Sequence, residues 1–307
     1  LDAAYIRCSP LLDPFKVLIR ETKSEKLLDQ FLTACTIYDE GNKANHQVAR
    51  KPLAFDRHIN YLGQLQFKDE PAGKVRVFAM VDSWTQSLLR PLHEYLSLIL
   101  KQIPNDGTFD QDAAFKRAVS KAKVSKCSFG YDLSAATDRL PLAIQVSVLT
   151  PLLGADFAKA WGQLLTSREY IIHMNKYTPE GAVKYSVGQP MGALSSFNML
   201  ALTHHLLLQY CALKVGASYP GKWFEGYEIL GDDIVIFNHL VAFEYLSVCK
   251  DIGMEINVKK SVVSFHSDVV EFAKRTSLHG VDVSAIPMKL MFQSGSLMGR
   301  SLFSISY

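Results

Sequence analysis

The chain has little of what would tie it to a membrane, an oxidising compartment or a cysteine-based metal site. No apolar run reaches the eighteen or so residues that a membrane span needs. The best stretches are broken by Arg90-Pro91-Leu92-His93 or by His204-His205. Its five cysteines, Cys8, Cys35, Cys127, Cys211 and Cys249, are odd in number, far apart and never spaced as C-x-x-C. That excludes a disulfide framework and a zinc site as readings, and the thiols are expected to be reduced and mostly buried. His204 and His205 are adjacent, so on a helix they point about 100° apart and cannot chelate one ion together; they read as packed or hydrogen-bonded side chains. There is no repeat, no low-complexity tract, and no H-E-x-x-H, G-x-S-x-G or Cys/His arrangement. Gly216-Ala-Ser-Tyr-Pro-Gly221-Lys222 has the outline of a phosphate-binding loop, but Trp223 stands where a Ser or Thr would ligate Mg²⁺, and a helix rather than a strand precedes it. A net charge of +3 is too small to name a partner. The chain opens on Leu1 rather than Met, so it is expected to be processed or partial.

What is present is a core-forming composition, 48% hydrophobic and 21% charged over 307 residues, enough for one large domain or two subdomains. Asp232 and Asp233 are the only adjacent aspartates, and they follow Gly231 between the apolar stretches 225–230 and 234–237. A Gly-Asp turn between such stretches signals a β-hairpin. Adjacent carboxylates repel unless a cation that takes oxygen ligands, such as Mg²⁺, lies with them. The tripeptide alone is weak, since composition yields it in roughly one chain in twenty of this length.

The surrounding pattern is richer. Lys74-Val-Arg-Val-Phe-Ala alternates like a strand with Lys74 and Arg76 on one face, and 84–100 has helical spacing despite Pro91. Pro104-Asn-Asp-Gly107 is the densest turn signal, and 126–131 reads as a short strand ending at Asp132. Residues 141–170 read as helical and 171–187 as a hairpin. A long helix is expected over 192–213, then the Gly-Asp-Asp hairpin, a helix over about 242–252 and a strand near 255–258. The order strand, helix, hairpin, helix, strand is the βαββαβ pattern of a ferredoxin-like sheet. On that sheet Asp132 and the hairpin tip lie side by side.

Singly, each feature has a plain structural explanation. Asp132-Leu-Ser-Ala-Ala-Thr-Asp138 could be a helix cap with an acidic first turn. Gly188-Gln-Pro-Met-Gly192 could be any tight turn before a helix. Lys74 and Arg76 could be a solvated strand face. Together, a basic strand, an aspartate at a strand end, a glycine-rich loop leading into a helix with hydroxyls, and an Asp-Asp hairpin stand in the order that two-metal nucleotidyl transfer on such a sheet requires.

The stretches 73–82 (GKVRVFAMVD), 132–141 (DLSAATDRLP), 188–196 (GQPMGALSS) with 202–205 (LTHH), and 230–233 (LGDD) resemble the polymerase motifs of mitoviruses, capsidless RNA viruses of mitochondria. The resemblance is to their RNA-dependent RNA polymerase and covers residues from about 50 to 290. It implies an α+β right-handed polymerase with a ferredoxin-like βαββαβ palm. Residues 1–125 would form a fingers region with the basic nucleotide-binding strand, and 126–265 the palm, with a fingers insertion near 150–187. Residues 266–307 would form a primer-grip region and the start of a thumb that is truncated or largely absent.

The same resemblance implies roles. Asp132 and Asp232, with Asp233 as a weaker or shared ligand, would hold two Mg²⁺ ions, Mn²⁺ being the alternative metal. Asp138, Ser195, Ser196 and Asn198 would read the ribose 2′-hydroxyl, and Lys74 and Arg76 would reach the triphosphate of the incoming ribonucleoside triphosphate. Lys260, favoured over Lys259, would donate a proton to pyrophosphate. Lys274 and Arg275 would contact the phosphates of the RNA. The expected partners are an RNA template, its RNA product and ribonucleoside triphosphates, with no membrane span and no identifiable protein partner, in a mitochondrion. Two rivals remain: a catalytically inactive polymerase copy integrated in a host genome, at most RNA-binding, and reverse transcriptase. Gly231 before the aspartates and the Asp138/Ser195 set disfavour the latter.

Overall fold

The computed structural model describes residues 2–46, 62–70, 73–173, 175–257 and 261–285. In chain order the helices are α1 (Asp2–Arg7), α2 (Leu12–Glu21), α3 (Glu25–His46), α4 (Ser83–Leu100), α5 (Gln111–Ser125), α6 (Ala136–Arg139), α7 (Leu142–Leu153), α8 (Ala155–Thr166), α9 (Ser196–Lys214) and α10 (His239–Asp251). The strands are β1 (Gly63–Asp69), β2 (Val75–Val81), β3 (Ser128–Asp132), β4 (Tyr170–Ile172), β5 (Gly181–Val183), β6 (Tyr227–Leu230), β7 (Asp233–Ile236), β8 (Val262–Ser264), β9 (Val270–Phe272), β10 (Arg275–Leu278) and β11 (Val281–Asp282). Among the described residues, no helix is long and apolar enough to cross a membrane. All five cysteines are free, with Cys35, Cys211 and Cys249 buried.

The chain divides into two compact units. The first comprises Leu1–Pro104, Leu133–Cys211 and Tyr245–Ile256. Asp82 starts α4 by accepting the Thr85 N–H at 2.8 Å. That helix then buries Leu88, Leu89, Leu92, Leu96 and Leu100, the spacing of a single apolar stripe, against Phe15, Leu18, Trp161 and Leu164. Pro91 sits on its exposed side. The sheet of this unit runs β2-β1-β4-β5, and the expected hairpin over 171–187 is the antiparallel pair β4/β5. Arg168 is fully inside the core, bonded to Asp82 at 2.6 Å, to the Thr85 hydroxyl at 2.8 Å and to the Leu62 carbonyl at 2.7 Å. His204 and His205 are buried, and His204 shares a 2.8 Å hydrogen bond with the Tyr245 hydroxyl.

The second unit comprises Asn105–Asp132, Ala212–Glu244 and the chain from Asn257 onward. Asp110 caps α5 at the Ala113 N–H, and Lys126 ends it in the left-handed conformation. The small face Ala114, Ala118 and Ala122, with Phe115, lets α5 lie close on Val235, Phe237, Val270 and Phe272. The sheet order is β6-β7-β3-β8, with every neighbouring pair antiparallel. Numbered as the four strands of a βαββαβ unit this is 2-3-1-4, the ferredoxin-like arrangement expected from the sequence. Its last strand is displaced: it is Val262–Ser264, not 255–258. The alternating Met254-Glu-Ile-Asn257 run looks like a strand. Yet among the described residues it joins no strand: its backbone makes an isolated bridge, Leu133 to Ile256, single bonds to Ser134 and Asp132, and turn bonds to Cys249 and Ser261.

Candidate active site

β3 and β7 pair so that Asp132 stands directly opposite Asp233. Directly opposed residues on antiparallel strands leave the sheet on the same face, so the two carboxylates share a face at the strand ends. Between β6 and β7 the loop is just Gly231 and Asp232. Gly231 has φ +63 while Asp232 does not have positive φ, the two-residue turn that puts glycine first. That turn leaves Asp232 exposed at the tip, one residue from Asp233. The expected turn therefore ends one residue early, and Asp233 is the first residue of the strand.

Asp233 is held from a third side. Ala273 and Lys274 form the tip of the β9/β10 hairpin with φ of +55 and +61, and the Ala273 N–H donates to Asp233 Oδ2 at 2.7 Å. Burial pushes the Asp233 carboxyl up to about 7, and nearby Asp232, Asp132 and Glu271 add to the rise against the opposing Ala273 bond. The carboxylates thus repel one another across a short distance. Among the described residues no group of three or more His, Cys, Asp or Glu side chains converges closely enough to hold a metal ion as they stand.

The hairpin is braced from beneath. Glu228, three residues before Gly231, is fully buried and accepts from Arg117 Nε and Nη2 (2.8 Å at the shortest) and from Lys121 Nζ at 2.7 Å. Arg117 also reaches the Asp106 carbonyl, and Asn105 bonds the carbonyls of Glu225 and Tyr227. Nothing in the sequence pattern marked this network, because Glu228 reads as an outward strand residue and the two cations as a helix surface. Their i, i+4 spacing on α5 was the one available hint.

Arg275 of β10 is engaged within the protein. Its guanidinium pairs with Asp112 and Asp282 and stacks 4.3 Å from the centre of the Phe115 ring. Lys274, at the hairpin tip, has no such pairing among the described residues. Lys259 and Lys260 lie outside the described residues.

The remaining expected groups belong to the first unit. Lys74 and Arg76 both turn to Glu70, Arg76 at 2.6 Å and Lys74 at 4.0 Å, a partner that the sequence reading missed. The 188–192 loop docks on β2: the Gly192 N–H donates to the Ala79 carbonyl at 3.1 Å, and Gln86 bonds both Gly192 O and Leu194 N–H. Ser195 is fully buried and accepts the Trp161 indole N–H at 2.9 Å. Ser196 is buried, and its hydroxyl has no partner among the described residues. Asn198 is also buried, its amide donating to the His93 carbonyl at 2.9 Å and to Ser97 Oγ at 2.7 Å. Asp138 lines a cleft of about 440 Å³ with Leu65, Val77, Arg139 and residues 183–187. Of the four residues expected to meet the ribose, Asp138 alone lines that cleft.

With this geometry in hand, the family model for mitovirus RNA-dependent RNA polymerase matches residues 14–305. The RNA-directed RNA polymerase of Cryphonectria parasitica mitovirus 1 is 42% identical over 218 residues, 71% of this chain and 26% of that protein. An uncharacterized mitochondrial protein of Arabidopsis thaliana is 33% identical over 68% of this chain and 82% of its own length. Among solved structures, a Candida tropicalis telomerase has a TM-score of 0.51 at 12% identity, covering 73% of this chain and 55% of that one. The RNA-dependent RNA polymerase of a human picobirnavirus has a TM-score of 0.50 at 19% identity, covering 72% and 47%. At those identities the likeness speaks to fold, and the fold is the right-handed polymerase.

Proposed function

The chain belongs to the mitovirus RNA-dependent RNA polymerase family, and from that premise we propose that it carries the nucleotidyl-transfer core of an RNA-templated RNA polymerase. It spans 26% of the length of its viral relative, so the proposal concerns the chemistry of this core. The observation that carries it is the register of Asp132 opposite Asp233 beside the Gly231-Asp232 turn, on a 2-3-1-4 antiparallel sheet.

The donor set fits divalent metal: oxygen-only ligands, mutually repelling, at an exposed turn. Asp132 and Asp232 would hold two Mg²⁺ ions, or Mn²⁺ in their place. Asp233, one oxygen already bound to the Ala273 N–H, would be the weaker ligand. When bound, such ions lower the pKa of an attacking hydroxyl and offset charge on the leaving group. Lys74 and Arg76 would exchange Glu70 for the triphosphate of an incoming ribonucleotide, fixed positive charge meeting the negative charge of transfer. Asp138 would accept from the ribose 2′-hydroxyl. Ser196 at the start of α9 would assist, with Ser195 and Asn198 holding that helix start through Trp161, His93 and Ser97. Lys274 would meet the phosphates of the RNA, with Arg275 bracing its hairpin, and Lys260 would protonate pyrophosphate. In domain terms, 1–125 would serve as fingers, 126–265 as palm and 266–307 as primer grip and thumb start. A mitochondrial setting follows from the mitovirus family and from the mitochondrial relatives in Arabidopsis.

Primer extension on an RNA template with Mg²⁺ tests the reading. Activity of the folded chain that is lost in both Asp132→Ala and Asp232→Ala is expected; extension that survives either change would refute it. The Arabidopsis relatives, matched over 82% and 78% of their own lengths, favour a second reading, a host-borne polymerase copy without activity. A folded chain that binds RNA but never extends a primer would establish that one.

A further inference from the structure

Tyr185 has no role in the reading so far, yet it makes the single side-chain hydrogen bond to Asp138 among the described residues: its hydroxyl donates to Oδ1 at 2.9 Å. Three links stitch the segment 185–189 to 137–142. Besides Tyr185, the Leu142 N–H donates to the Val187 carbonyl at 2.8 Å, and the Gln189 N–H to the Thr137 carbonyl at 3.1 Å. Between them Gly188 presses on the backbone of Thr137 and Asp138. A Cβ there would lie 2.3 Å from the Thr137 oxygen and 2.5 Å from the Asp138 carbonyl, so no other residue allows this approach. The two stretches, nearly fifty residues apart in sequence, are tied together at three points and by this close approach.

The Tyr185 ring is itself fixed. It stands edge-on to Tyr170 at 5.3 Å between centroids and 83° between planes; Tyr170 is wholly buried, with its hydroxyl on the Leu165 carbonyl at 2.7 Å. Asp138 therefore has one oxygen occupied by a rigid donor, while its other oxygen takes no hydrogen bond among the described residues. Both residues line the cleft, together with the cationic side chains Arg139 and Lys184. An aspartate left alone turns about its last torsion and offers either oxygen in many directions. Held this way, it offers one acceptor with a set direction, and a ligand hydroxyl that meets a preset acceptor forgoes the entropy loss of ordering it.

We propose that Tyr185 is a positioning residue that fixes the Asp138 carboxylate as the hydroxyl acceptor of this cleft. Preference for ribo- over 2′-deoxyribonucleoside triphosphates then depends on Tyr185 as well as on Asp138. The inference rests on the sugar-reading role given to Asp138 above, and the experiment separates the two.

Binding of GTP and of 2′-deoxyGTP to the full chain is measured by titration calorimetry at fixed Mg²⁺. The wild type, Tyr185→Phe, Asp138→Ala and the double variant are compared, with thermal unfolding of each. Phenylalanine keeps the ring against Tyr170 and removes only the hydroxyl. The expected result is that Tyr185→Phe lowers the GTP/2′-deoxyGTP affinity ratio about fivefold, the worth of one ordinary hydrogen bond. It would do so mainly by weakening GTP, and would change the ratio no further in the Asp138→Ala background. An unchanged ratio in Tyr185→Phe, while Asp138→Ala abolishes the preference, overturns the positioning role and leaves the role of Asp138 standing. Equal weakening of both nucleotides in Tyr185→Phe marks a structural residue and also overturns it. A wild-type ratio of one, or a ratio indifferent to Asp138→Ala, overturns the sugar-reading role and this inference with it.

Discussion

Removing Arg117 should loosen the hairpin that carries Asp232 and Asp233, and by an amount the geometry sets. Glu228 is fully buried, while Arg117 and Lys121 keep 36% and 25% of their side chains exposed. Deleting a cation therefore leaves the charge that cannot reach water, whereas deleting Glu228 leaves two that can. Arg117→Met removes three of the four bonds to the carboxylate and leaves Lys121 alone to hold it. Breaking a wholly buried pair costs about 3–5 kcal/mol. With one cation remaining and solvent near both cations, the expected loss is about 2–3 kcal/mol. At 1.4 kcal/mol per decade, amides in β6 and β7 such as Ile229 and Val235 should exchange with deuterium about 30- to 140-fold faster. Lys121→Met, which leaves the forked arginine in place, should cost less, about 1 kcal/mol. Peptide-resolved exchange mass spectrometry over 225–237 checks both. A Lys121→Met effect equal to or larger than that of Arg117→Met, or exchange in this hairpin unmoved by either, would refute the reasoning.

Two further outcomes follow from the first unit. Ser195→Ala strands the buried Trp161 indole N–H, so it should destabilise the chain by about 1–3 kcal/mol in urea unfolding and leave ribose preference intact; a specific loss of that preference would return Ser195 to the sugar contact. Burial raises the Asp138 carboxyl, opposed by the Tyr185 bond and Arg139. A raised folded-state value means the native state holds its proton more tightly than the unfolded chain does, so this group lowers stability as pH rises through that range. Asp138→Asn, which cannot ionise, should therefore melt above the wild type at pH 7, with the difference closing as pH falls toward 4. A difference that is constant with pH would disprove the assignment.

Much of this protein was legible in the chain because local rules sufficed. Alternation and turn residues located the hairpins, apolar spacing located α4, a long apolar run after the glycine-rich loop located α9, and their order gave the ferredoxin-like sheet. The carboxylate pair was weak by itself and became legible through its order with the basic strand, Asp132 and the glycine-rich loop. What the sequence could not supply were the partners of charged and polar side chains. Most of these bonds link residues far apart in the chain, 34 positions for Trp161 and Ser195 and 111 for Arg117 and Glu228, and leave no periodicity. Glu228 looks exposed until Arg117 and Lys121 cover it, and Arg275 looks available for phosphate until Asp112, Asp282 and Phe115 claim it. Ser195 and Ser196 are neighbours in a motif, yet one is bound to Trp161 and the other has no side-chain partner among the described residues. Residue order and pattern determine the scaffold, since helix and strand periods are properties of the chain. Which oxygen of Asp138 remains open, and what holds it, is decided only by the packing that brings Tyr185 against it.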